Sequence, residues 1–74
     1  MTTNEIYILE ININNQLNRA YFDNNKKDLL KQINENEEYD DEYYIIYSYD
    51  SYNDIKILFE NKSISKIKNF LSNN

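Results

Sequence analysis

Residues 43–49 read Tyr-Tyr-Ile-Ile-Tyr-Ser-Tyr, and no other stretch of the chain constrains the fold as tightly. Aromatic and β-branched side chains suit a pleated, half-buried surface, so this run predicts a strand. Its period of two sends Tyr43, Ile45, Tyr47 and Tyr49 to one face and Tyr44, Ile46 and Ser48 to the other. Such a strand needs partners, and the flanking sequence supplies them.

Residues 5–13 alternate in the same way. Tyr7, Leu9, Ile11 and Ile13 share one face, and Ile6, Ile8, Glu10 and Asn12 the other. Asn14-Asn15-Gln16 reads as a turn, because Asn tolerates the left-handed backbone that Gly would otherwise supply. Residues 17–22 then pair back to close a hairpin. Asp23-Asn24-Asn25 offers N-cap residues for a helix over 26–36, with Leu29, Leu30 and Ile33 as its apolar stripe. The order then repeats. After the 43–49 strand, residues 50–54 turn and residues 55–60 form a strand with Ile55, Ile57 and Phe59 on one face. Ser63 caps a last helix whose Ile64, Ile67, Phe70 and Leu71 fall together. The pattern predicts an α+β fold of order ββαββα: a mostly antiparallel four-stranded sheet with two helices on one face. Residues 1–74 read as a single domain of two similar halves, about 5–36 and 43–72, joined by an acidic segment over 35–42. A compact chain of this length has a radius of gyration of about 11 Å.

Composition removes whole classes of function. There is no Cys, hence no disulfide framework and no thiolate zinc site. There is no His, hence no imidazole base or imidazole ligand. There is no Gly, hence no glycine-rich phosphate cradle. A formal charge of −5 argues against direct binding of nucleic acid. The chain shows no apolar run long enough for a transmembrane helix and no signal-peptide pattern, so a cytoplasmic location is expected, without membrane partners. Asn, Ile, Lys and Tyr make up 40 of the 74 residues, and their AT-rich codons point to a low-GC bacterium or one of its phages.

The net charge hides its distribution. Residues 35–54 contain eight acids (Glu35, Glu37, Glu38, Asp40, Asp41, Glu42, Asp50 and Asp54) and no base. That window carries −8 in a remainder of +3, and it holds six of the eight tyrosines. A like-charge run is ordinarily a solvated segment that aids solubility, and strand tyrosines are ordinarily packing residues. The sharper expectation is a contact surface for a basic partner. Carboxylates two apart on an extended chain, as Glu38, Asp40 and Glu42 would be, lie about 6.6–6.8 Å apart. Tyrosine adds contact area at low entropic cost and stacks on guanidinium groups. The expected partner-binding residues are therefore Glu35, Glu37, Glu38, Tyr39, Asp40, Asp41, Glu42, Tyr43, Tyr44, Asp50, Tyr52 and Asp54. Helices on one side would also leave the other face of the sheet uncovered, exposing two or three large tyrosines to a partner or to a second copy.

Other motifs do not hold. Asp50, Tyr52 and Asp54 have EF-hand spacing, but Ile55 stands where Gly is needed and Asn61 where Glu is needed. No metal site, cofactor or catalytic residue is expected, and the protein is expected not to be an enzyme. Asn61-Lys62-Ser63 fits the glycosylation pattern, which has no meaning without secretion.

In size and composition the chain resembles the small acidic inhibitors that phages and mobile elements encode against bacterial defence nucleases, the anti-CRISPR proteins above all. The resemblance lies in the acidic, tyrosine-rich profile and covers no aligned positions. It implies a non-enzymatic inhibitor that occupies a basic nucleic-acid-binding site of a CRISPR effector or another host protein. The alternative is a homo-oligomeric structural or regulatory module that uses the Tyr/Ile strand face as a dimer interface.

Overall fold

The computed structural model describes residues 5–34, 41–50 and 54–73. It contains β1 (Ile6–Ile13), β2 (Gln16–Asp23), α1 (Lys26–Ile33), β3 (Glu42–Tyr49), β4 (Ile55–Asn61) and α2 (Ile64–Ser72). The four strands form one sheet in the order β2-β1-β3-β4, with every neighbouring pair antiparallel. The ββαββα order and the α+β class are as the alternation predicts. The radius of gyration is 12.1 Å and the molecule is only 15 Å deep along its shortest axis, a two-layer slab.

Each element has a local cause. Asn14 and Asn15 take φ of 53° and 65°, so the β1–β2 hairpin closes through two left-handed residues. Asn25 caps α1: its side-chain oxygen accepts from the Asp28 amide at 2.8 Å, and its side-chain nitrogen donates to the Asp28 carboxylate at 3.0 Å. Gln32 Nε2 donates to Phe22 O at 2.9 Å and to Asp23 Oδ2 at 3.0 Å, tying α1 to the end of β2. Lys68 Nζ donates to the carbonyl of Asn34, the C-cap of α1, and so links the two helices. The start of α2 differs from expectation. Ser63 sits at the N-cap but makes no side-chain capping bond; Asn61 Oδ1 accepts from the Ser63 amide instead.

The core lies between the sheet and both helices. Leu9 and Ile11 of β1 stand opposite Ile46 and Tyr44 of β3, and all four are fully buried. Leu29 and Ile33 of α1 and Ile64, Ile67 and Leu71 of α2 close over them. Both halves of the chain thus contribute to one core. Phe59 stacks on Phe70 with ring centroids 4.9 Å apart, sealing the β4 side.

Two bulges were not legible in the alternation. The β1–β2 register shifts at Asn18, and the β3–β4 register shifts at Leu58. Each extra residue moves the following side chain to the other face. Ile55 and Ile57 therefore face away from the helices, whereas Phe59 faces them, instead of all three sharing one side. Leu17 and Arg19 are parted in the same way. Both bulges lie on the outer strands, where they also blunt the free edges of the sheet.

Candidate functional site

The acidic window divides once folded. Glu35, Glu37, Glu38, Tyr39, Asp40 and Tyr52 lie outside the described residues. Asp41 is exposed just before β3, and Asp54 is exposed before β4. Asp50 closes the turn between those strands, accepting from the Asp54 amide at 3.1 Å. Tyr43 is half-buried on the side away from the helices.

Two residues expected at a contact surface are interior instead. Glu42 is 5% exposed and Tyr44 is fully buried. The cause is the register: even-numbered residues of β3 face the helices, so Glu42 and Tyr44 point inward with Ile46 and Ser48. Glu42 is satisfied there. Its Oε2 accepts from Arg19 at 3.2 Å and its Oε1 from the Tyr44 hydroxyl at 2.7 Å. A carboxylate row that included Glu42 is thereby broken.

The odd-numbered face of β3 carries the more telling feature. No element among the described residues covers it. Its side chains form cross-strand rows. One row is Ile6, Tyr49 and Ile55; the next is Phe22, Ile8, Tyr47 and Ile57. A third is Ala20, Glu10, Ile45 and Glu60, and a fourth is Leu17, Asn12 and Tyr43. Among the described residues, all of the exposed large apolar side chains, from Ile6 at 37% to Phe22 at 67%, belong to this face. Tyr43, Tyr47 and Tyr49 lie among them on the uncovered face, half-buried where exposure was expected. The apolar residues around them were missed. Ile6 and Ile8 were a visible signal, because β1 is apolar on both faces; Leu17, Ile55 and Ile57 required knowledge of the bulges.

Two charges interrupt the apolar surface. Tyr47 donates to Glu10 at 3.3 Å, and Tyr43 donates to Glu60. The bond to Glu60, with burial and the charge of Glu60 behind it, holds the Tyr43 hydroxyl above the ordinary tyrosine pKa. Burial does the same to Tyr47, followed by the charges of Glu10 and Glu60 and the bond to Glu10. Both phenols thus remain protonated donors at neutral pH.

The bases are absent from the open face. Arg19 and Lys56 stand on the helix side of the sheet, opposite Ile11 and Ser48. Lys26, Lys27 and Lys31 are in α1, Lys66 and Lys68 in α2, and Lys62 in the short link before α2. Lys26 reaches across Tyr7 and Phe70, with its Nζ 5.5 and 5.2 Å from the ring centroids. No base occupies an open-face position. Among the described residues, no group of three or more acids is placed to hold a metal ion. No described helix is long and apolar enough to cross a membrane.

The arrangement is therefore a four-stranded antiparallel sheet with helices on one side and an apolar, tyrosine-bearing, acid-dotted face on the other. Comparison with protein-family models, with characterised proteins and with solved structures gives no match for this chain.

Proposed function

We propose that this protein is a non-enzymatic inhibitor that acts by binding a basic surface of another protein, such as the nucleic-acid-binding site of a defence nuclease. The observation that carries the proposal is the separation of the bases from the acid-only window. Arg19 and Lys56 are on the helix side of the sheet, every other base is in a helix or in the link before α2, and residues 35–54 hold eight acids and no base. A field of one sign steers a partner of the other sign and raises its association rate. Glu42 and Tyr44 do not take part, because they serve the core. The contact set reduces to Glu35, Glu37, Glu38, Tyr39, Asp40, Asp41, Tyr43, Asp50, Tyr52 and Asp54. The deciding experiment reverses the charge of Glu37, Glu38, Asp40 and Asp41 together and measures inhibition and binding of a basic-channel nuclease. Loss of both with an intact fold is expected, and unchanged inhibition would sink the proposal.

A second reading, a homo-oligomeric module, draws support from the uncovered sheet face. Obligate dimers bury surfaces of this apolar character. Sedimentation at micromolar concentration tests this second reading: a clean monomer removes it, whereas a dimer leaves both standing.

A further inference from the structure

We infer that the open sheet face docks a partner protein presenting apolar side chains together with two cations, Arg or Lys, set to meet Glu10 and Glu60 on either side of Ile45. This inference rests on the protein-binding reading and deepens it by naming the face and its chemistry.

Three observations carry it. The first is apolar exposure confined to one face, where Leu17, Phe22, Ile55 and Ile57 are each more than half exposed. Four strands about 4.8 Å apart and about 27 Å long give this face a footprint on the order of 500 Å². That suits the dry centre of an interface with about 800 Å² per partner. The second is register. Glu10 pairs with Ile45, and Ile45 with Glu60, so the two acids lie in one row, two strands and about 10 Å apart. Tyr47 and Tyr43 each donate to one of them and orient it without neutralising it. The third is charge complementarity. A face-to-face dimer places a patch against itself, so it would set Glu10 and Glu60 against the same two acids with no cation present. A second copy can offer bases only from its helix layer, in a head-to-tail contact that need not close. An anionic membrane is repelled by the same two acids. A foreign surface with two cations meets every requirement, because each cation can pair with a carboxylate while a tyrosine ring stacks beside it.

The test uses 1,8-diguanidinooctane, two guanidinium groups on an apolar spacer, followed by amide chemical-shift titration. The expected shifts gather on residues 8–12, 43–47 and 57–60. Affinity should fall about fivefold or more in the Glu10→Gln/Glu60→Gln variant and with the shorter 1,4-diguanidinobutane. Equal affinity for wild type and variant, or shifts gathered on residues 37–41, would overturn the inference. So would a wild-type dimer in sedimentation that Phe22→Glu disperses, because the face would then belong to a second copy. Glu10 and Glu60 lie outside residues 35–54. Loss of inhibition on reversing residues 37–41, with Glu10→Gln/Glu60→Gln indifferent to the probe, therefore rejects this inference and leaves the inhibitor reading standing. The opposite pair of results rejects the inhibitor reading alone.

Discussion

Nη2 of Arg19 lies 3.2 Å from Oε2 of Glu42, joining β2 to β3 across β1. Arg19 is the chain's sole arginine, and Glu42 is an acid of the −8 window that the fold has turned inward. The carboxylate is nearly buried whereas the guanidinium is partly solvated, at 4% and 41% side-chain exposure. The asymmetry matters energetically. Among the described residues, removing the arginine leaves the buried charge with the Tyr44 hydroxyl.

Arg19→Met is accordingly expected to lower unfolding free energy by about 1–3 kcal/mol. Glu42→Gln in the same background should recover part of that loss, since the orphaned charge is gone. Urea denaturation of the two single variants and the double variant measures the coupling. Additive losses would mean that the pair is not interacting.

The β1–β2 turn gives a second prediction. Asn15 adopts φ 65°, a region where a Cβ is unfavourable and Gly is not. Asn-Gly is the preferred pair for a two-residue turn of this hand. Asn15→Gly should raise the denaturation midpoint slightly, and Asn15→Ala should lower stability by about 1 kcal/mol. The same midpoint for both variants would show that the turn is not held in this conformation.

Much of this molecule was legible in the sequence, and the illegible part has a common cause. Alternation in residues 5–13 and 43–49, the Asn14-Asn15-Gln16 turn and the two apolar helix stripes were sufficient for ββαββα. They depend on local geometry, which the chain states directly. The bulges at Asn18 and Leu58 depend on how one strand lies against another, and no periodicity within a strand reports that. They turn Leu17 and Ile57 outward and set Arg19 and Phe59 against the helices. The fate of Glu42 was hidden for the same reason. Its sequence neighbours made it part of an acidic run, while register with β1 and the reach of Arg19 made it interior. Charge counted along the chain is thus a poor guide to charge on a face. The pairing of Glu10 with Glu60 across Ile45 is invisible until the strands are ordered.

Alkaline pH offers a third prediction. The Tyr43 pKa is raised in the fold above 10.0, chiefly because the neutral hydroxyl donates to Glu60. Unfolded tyrosine loses its proton first, so above pH 10 the unfolded state binds fewer protons and stability falls. The contribution is complete below the unfolded pKa and disappears as pH climbs through the folded one. Tyr43→Phe should therefore melt with a shallower dependence on pH above 10 than wild type. Tyrosinate absorbance should rise later in native than in urea-unfolded protein. Superimposed titrations in the two states would contradict the hydrogen bond.

The fourth prediction asks whether the open face exists for folding at all. Ile67 is fully buried beneath the sheet and packs in the core, so Ile67→Ala should cost about 2–5 kcal/mol. A 74-residue domain is marginal enough for such a loss to unfold much of it. Ile57 is equally apolar but 53% exposed, and Phe22 is 67% exposed. Their folding contribution is limited to cross-strand packing on Tyr47 and Ile8, worth about 0.2–1 kcal/mol each. Ile57→Thr and Phe22→Thr leave strand-compatible side chains at both positions and remove the apolar surface. They should leave thermal unfolding almost unchanged and lower the binding of a hydrophobic dye to the native protein. A loss near that of Ile67→Ala would mean that these side chains hold the sheet together. Near-neutral stability with reduced dye binding would leave recognition as the reason for an apolar face on so small and charged a chain.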